Sequence, residues 1–232
     1  MFDELLGNIK KTLRRRLKPN QITIDGIRVS TSLEHVTKDI RKALFREVYE
    51  RPERLLTQKY LSRTDRVLEI GAGVGLISVT CARICGSENV LSYEPNPRTR
   101  IAIEKNFELN GLKPKLRNKA VGLTAEEVDF YFAENIFSSS VFDRNYGGKT
   151  TVECDAISDV ISEFQPNAII MDVEGAEIDL LGQTNLSNID KLIVEMHPHI
   201  VGNDNVDFLL SSLKKKGFRL IETLSISYVF LR

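Results

Sequence analysis

Two groups of residues in this chain of 232 have the types and spacing to do chemistry. The first is Leu68-Glu69-Ile70-Gly71-Ala72-Gly73-Val74-Gly75, followed about 20 residues later by Glu94-Pro95-Asn96. Glycines permit a tight turn and let a ligand approach the backbone, and a helix opening just after them offers free N–H groups. An acid at position 94 can accept both ribose hydroxyls of a bound nucleoside. The second group is Asp172, Glu195 and His197. Carboxylates and a side chain that titrates near neutral pH are the usual carriers of general-base catalysis.

Charge separates the ligands that a glycine loop could take. A dinucleotide site wants G-x-G-x-x-G with a pyrophosphate on the helix N-terminus. Here the third glycine of that pattern is replaced by Leu76, and the spacing is G-x-G-x-G. Glu69, two residues before the loop, would repel a pyrophosphate but suits a cation. S-adenosylmethionine (SAM) has no phosphate and carries an ammonium and a sulfonium. The loop therefore favours SAM, with a nicotinamide-dependent oxidoreductase as a lesser alternative.

If the donor is SAM, the chemistry is an in-line methyl displacement, and holding the acceptor in line supplies much of the rate. A hydroxyl acceptor also needs a base for its proton. Asp172 is expected to end the fourth strand, and Glu195 and His197 the fifth, so the three converge on one sheet edge and are the catalytic candidates. Structural roles compete. Asp172 could cap a helix starting near Ala176. Glu174 and Glu177 suit a first helical turn, and His197 could be a turn histidine beside Pro198. His197-Pro198-His199 with Asp172 offers metal-binding atoms, but a H-x-H pair is weakly specific. No metal ligand is assigned, and a divalent metal is the weaker cofactor expectation beside SAM.

These residues require a particular scaffold. Residues 2–18 read as a helix with Phe2, Leu5, Leu6, Ile9, Leu13 and Leu17 on one face and basic residues elsewhere. Such a helix packs on the domain, binds an anionic partner or lies on a membrane. Pro19-Asn20 ends it, and Gln21–Thr31 reads as a hairpin turning at Asp25-Gly26. Residues 37–50 and 52–61 read as helices split by Pro52. From Arg66 onward strands and helices alternate: strands at 66–70, 90–93, 115–121, 168–172 and 192–196, and helices at 76–84, 98–109, 157–164, 176–181 and 206–215. An extra strand is expected at 128–133. Alternating βα units imply a parallel, doubly wound sheet with ligands at its switch point. The closing strands, 218–222 and 228–231, are too close for a crossover and must pair antiparallel.

At this point the chain resembles the FkbM-type SAM-dependent methyltransferases. The similarity runs over roughly residues 45–200. It includes Val48-Tyr49-Glu50, Tyr93-Glu94-Pro95-Asn96-Pro97, Leu109-Asn110-Gly111, Lys119-Ala120-Val121-Gly122 and Val194-Glu195-Met196-His197-Pro198. The most selective stretch is Met171-Asp172-Val173-Glu174-Gly175-Ala176-Glu177. The resemblance implies a class I SAM methyltransferase (Rossmann-like) α/β fold: a mostly parallel seven-stranded sheet with one antiparallel strand and helices on both faces. It implies O-methylation of a hydroxyl on a small molecule or sugar. The cofactor residues expected are Glu69, Gly71, Ala72, Gly73, Gly75, Glu94, Pro95, Asn96 and Asp172, with Asn118, Ala120 and Val121 flanking the adenine. Residues 1–36, the N-terminal helix and hairpin, match little and are set apart from a methyltransferase domain at 37–232. The stretch around 134–150 also matches little, and in both places substrate choice is usually built.

Composition narrows the setting. Lys+Arg and Asp+Glu balance at 32 each, so no overall field draws nucleic acid and no nucleic-acid partner is expected. A nucleic-acid methyltransferase stays an alternative, as does a non-catalytic nucleoside-binding module on the same fold. Three cysteines are too few for a disulfide framework. No apolar run reaches the ~18 residues of a membrane span, and no signal peptide is visible. A cytoplasmic enzyme is expected, with a homo-oligomer left open.

Overall fold

The computed structural model describes residues 2–133, 139–140 and 147–232. Helix α1 (Phe2–Leu17) leads into a hairpin, β1 (Gln21–Ile24) and β2 (Ile27–Ser30), then α2 (Lys38–Arg46) and α3 (Arg51–Tyr60). The alternating region follows as β3 (Val67–Ile70), α4 (Leu76–Cys85), β4 (Val90–Tyr93), α5 (Arg100–Asn110) and β5 (Lys115–Arg117). Four strands and one helix come next: β6 (Ala120–Gly122), β7 (Glu127–Ala133), β8 (Ser139–Ser140), β9 (Gly147–Ala156) and α6 (Ile157–Phe164). The chain closes with β10 (Ala168–Met171), α7 (Glu177–Gln183), β11 (Lys191–Glu195), α8 (Pro198–Val201), α9 (Asn203–Lys215), β12 (Arg219–Leu224) and β13 (Ser227–Leu231).

The main sheet has seven strands in the order β12-β13-β11-β10-β3-β4-β5. β13 runs antiparallel to both neighbours, while β11, β10, β3, β4 and β5 are mutually parallel. Chain order reverses between β3 and β10, so the loops after these adjacent strands part and open a crevice. Side chains alternate across the sheet. Leu68, Ile169, Leu192, Val194 and Phe230 join one core with Val160, Leu180 and Leu209 from α6, α7 and α9. Val67, Ile170, Ile193 and Val229 join another with Leu56 of α3 and Ile77 and Cys81 of α4. The sheet is thus covered on both faces, as expected. The three cysteines are free and buried.

The hairpin turns at Asp25 (φ 50°) and Gly26 (φ 77°), the positive pair that a tight two-residue turn requires. Its inward residues Ile22, Ile24, Ile27 and Val29 share a core with Val74, Leu76, Ile103 and Phe107. Asn106 ties the hairpin to the glycine loop: its Oδ1 accepts from Ser30 N and its Nδ2 donates to the Val74 carbonyl.

Four expectations change. The helix expected over 37–50 stops at Arg46, because Glu47 turns left-handed (φ 60°) and its N–H reaches the Ala43 and Leu44 carbonyls. Pro52 does not separate the helices; it lies in the first turn of α3, where a missing N–H costs nothing. The strand expected over 115–121 divides, since β6 leaves the sheet and pairs in parallel with β9. That strand, which also pairs with β7, was not foreseen. In α1, Arg14 is 6% exposed although the pattern put it on the solvated side, whereas Leu13 and Leu17 are open to solvent. Arg14 donates to Glu47 Oε1 (2.5 Å) and to the Thr23 carbonyl (2.7 Å). No helix among the described residues is long and apolar enough to cross a membrane.

Candidate active site

The loop after β3 is built on close approach. A Cβ on Gly71 (φ +92°) would stand 1.9 Å from the Asp172 carbonyl oxygen, across the switch point. A Cβ on Gly73 (φ +55°) would meet Tyr49 Oη at 2.6 Å and Glu50 Oε1 at 2.8 Å. The third glycine packs on Ile103 of α5 and faces away from the crevice.

Around this loop lies a partly open cavity of about 120 Å³. Of the residues expected to bind the cofactor, Gly71, Gly73, Glu94, Pro95, Asn96, Ala120, Val121 and Asp172 line it. Glu94 accepts from Gly73 N (2.7 Å) and Asn96 N (2.9 Å), one bond per carboxylate oxygen. Each oxygen keeps a lone pair for a hydroxyl. Burial pushes the Glu94 carboxyl up to about 7 against those two bonds.

Six expected site residues lie outside the lining: Glu69, Ala72, Gly75, Asn118, Glu195 and His197. Parity accounts for Glu69. It points to the same face as Val67, under α4, while Ile70 faces the cavity. There it accepts hydroxyls from Ser78 (2.5 Å) and Ser92 through Oε2, while Oε1 is buried with no hydrogen-bond partner. Burial lifts this carboxyl to about 7 as well. Asn118 turns its amide toward the Glu94 carbonyl (3.4 Å).

The lining adds residues that sequence reasoning did not assign. Tyr49 and Glu50 form the wall opposite Gly73, and Glu50 Oε2 is buried with no hydrogen-bond partner. Burial holds the Glu50 carboxyl well above its ordinary range. Val48-Tyr49-Glu50 had stood out as a family-like segment, so a signal was present without a role. Lys119, Phe130 and Glu174 also line the cavity.

Behind Asp172 the carboxyl ends of β10 and β11 gather four carboxylates around one imidazole. His197 Nε2 stands 3.5 Å from Asp172 Oδ1, 3.5 Å from Glu195 Oε1 and 3.9 Å from Glu174 Oε2. His197 Nδ1 lies 3.2 Å from Glu177 Oε1. Asp172 does not cap α7, since the helix begins at Glu177 with Ala176 before it and no side-chain cap. The left-handed pair Glu174 (φ 52°) and Gly175 (φ 114°) bends the chain so that Glu177 turns back. Its carboxylate then accepts from Gly175 N (2.7 Å) and His197 N (3.0 Å). Burial opposes charge on His197, but Glu177, Glu195 and Asp172 outweigh it and lift the imidazole to about 10. The surrounding carboxylates thus favour the cationic imidazole. Asp172 has 35% of its side chain open to the cavity. Depth below the surface and the Glu195 charge still hold its carboxyl well above the usual range. On the far side, Ser227 Oγ donates to Glu53. Burial and Glu195 raise the Glu53 carboxyl to about 7.

A seven-stranded sheet of this order, with a glycine-lined, acid-edged crevice at its switch point, defines the class I SAM-dependent methyltransferases. Residues 69–220 match the methyltransferase FkbM domain, and the chain belongs to that family. No curated protein sequence matches it. Solved structures share the fold at low identity. A putative transferase from Pyrococcus horikoshii is 14% identical with a TM-score of 0.51, over 97% of this chain and 81% of that one. A putative tRNA (m1A22) methyltransferase from Streptococcus pneumoniae, in complex with S-adenosyl-L-methionine, is 16% identical with a TM-score of 0.42, over 77% and 70%. Trm5b from Pyrococcus abyssi is 15% identical with a TM-score of 0.45 over 91% of this chain, which spans 54% of its length. The cofactor of this family is SAM, and the cavity's glycine wall, the paired acceptors on Glu94 and the unpartnered Glu50 oxygen fit it.

Proposed function

We propose that this enzyme transfers the SAM methyl group to a hydroxyl of a small molecule or sugar, with Asp172 as the proton acceptor. Bound SAM supplies an electrophilic methyl; the chain must hold the acceptor and take its proton. Asp172 carries the reading. It lines the cavity at the carboxyl end of β10, and its Oδ1 is buried with no hydrogen-bond partner. A carboxyl raised by burial and a neighbouring charge is a stronger base once ionised. Glu94 and Glu50 serve as acceptors for ribose hydroxyls and for the ammonium. His197 and Glu195 act through Asp172 as positioning residues.

The charge of the wall favours a small neutral acceptor over nucleic acid. Glu50, Glu94, Asp172 and Glu174 line the cavity. Its lysine, Lys119, is paired with Glu153 and Asp155 at 2.9 Å each. A polyphosphate backbone would meet a wall rich in acceptors and a lysine already paired with two carboxylates. The buried free thiols Cys81, Cys85 and Cys154 support a reducing, cytoplasmic setting.

The test is a panel of sugar, alkyl and phenolic hydroxyl acceptors, amines and tRNA, with the methylated atom located by mass spectrometry. Transfer to oxygen is expected, with Asp172→Asn binding SAM within threefold of wild type and losing turnover by about 10²–10⁴. Transfer to nitrogen alone, or full turnover by Asp172→Asn, sinks the proposal.

A further inference from the structure

We infer that Asp172, Glu195 and His197 form a binding site for a divalent transition-metal cation, of the type of Mn²⁺, at the inner wall of the cavity. One oxygen from each carboxylate and one imidazole nitrogen lie within 4.8 Å of one another. Ligands about 2.0–2.2 Å from a shared ion stand roughly 3–4.3 Å apart, so sub-ångström closure would bring the three into range. The two distances from His197 Nε2, 3.5 Å each, are those of ion pairs, and they fall within the spacing of ligands on a shared ion.

Three further observations point to a cation. Asp172 Oδ1 is buried with no hydrogen-bond partner, and it faces this space. His197 is 2% exposed and aims Nε2 into the set, while Nδ1 meets the fully buried Glu177. A carboxylate on the far ring nitrogen is the arrangement that orients metal-ligating histidines. Finally, four carboxylates converge on one imidazole. That set demands positive charge, which a divalent ion supplies. One imidazole with two carboxylates suits Mn²⁺, Fe²⁺ or Zn²⁺ better than Ca²⁺, which takes oxygen ligands. His199 takes no part in the set; it packs edge-on against His197 at 5.8 Å.

Asp172 also lines the cavity, so an ion here would touch the acceptor. Polarising a bound hydroxyl is the chemistry such an ion performs. That role rests on the hydroxyl-acceptor reading, while the site itself does not.

The experiment titrates Mn²⁺ into the full-length chain without SAM, following free Mn²⁺ by electron paramagnetic resonance. One site is expected, with Glu195→Gln and Asp172→Asn each weakening it at least tenfold. Circular dichroism checks that the variants fold. Should neither fold, the wild-type proton NMR spectrum decides among the three histidines: Mn²⁺ should broaden His197 and His199 more than His35. No binding at 1 mM Mn²⁺, affinity unchanged in folded variants, or His35 broadened equally overturns the site. Full hydroxyl methylation in EDTA by a chain that binds no Mn²⁺ removes the cation and leaves the acceptor reading intact. Mn²⁺ binding with transfer only to nitrogen does the reverse.

Discussion

Gly71 and Asp172 meet backbone to backbone across the switch point, so close that a Cβ on Gly71 would lie 1.9 Å from the Asp172 carbonyl oxygen. The donor loop and the proposed base are therefore fixed relative to one another by main chain. Gly71→Ala combines overpacking with a strained φ of +92°. We expect it to cost about 2–6 kcal/mol of stability, read by urea unfolding, together with SAM binding. A variant of wild-type stability and affinity would show that the two strands can part freely.

Glu94 must be ionised to accept two hydroxyls. Its carboxyl titrates at about 7 in the free protein, so SAM affinity should fall as pH drops from 8 to 6. Glu94→Gln should bind SAM at least tenfold more weakly at pH 8 and lose that pH dependence. Calorimetry at several pH values measures both.

Glu69 makes a prediction of opposite kind. Burial raises its carboxyl from 4.5 to about 7, so the folded state holds a proton that the unfolded chain releases. The associated stability is full below pH 4.5 and is lost as pH rises through 7. A shift of that size is worth about 3 kcal/mol at most. Glu69→Gln should match wild type at pH 5 and exceed it at pH 8. Because the side chain lies under α4, SAM affinity should change by less than about fivefold. A large affinity loss would return Glu69 to the cofactor contacts that the sequence suggested.

His197 and Glu177 should behave as a buried pair. His197→Ala leaves Glu177 charged and enclosed, at a cost of about 3–5 kcal/mol. Adding Glu177→Gln should recover part of that loss. A double-mutant cycle with zero coupling would refute the pairing.

The sequence showed most where local signals and tertiary demands agreed. Val90–Tyr93 and Ile157–Phe164 read from their apolar pattern with the observed ends, and Asp25-Gly26 read from turn chemistry. It showed less where a partner decided the outcome. β9 begins Gly147-Gly148-Lys149-Thr150, which has no apolar alternation; its pairing with β7 makes it a strand. Part of the stretch expected to choose the substrate, 134–138 and 141–146, lies outside the described residues. In the site, spacing located Glu94 and Asp172 but could not say which way Glu69 points, since one residue of register exchanges the two faces of a strand. Nor could it reveal that Glu50, distant in sequence, closes the wall facing Gly73. His197 looked like a base by its ordinary pKa. The structure adds three carboxylates beside its ring nitrogens, which favour its cationic form.

Asn106 carries a practical consequence. With one amide it holds the hairpin strand through Ser30 and the donor loop through Val74. The N-terminal segment, which lies outside the family match, is thereby wired to the glycine loop inside it. A chimera that exchanges residues 1–36 between relatives would also retune the loop beneath, so donor affinity and acceptor preference would travel together.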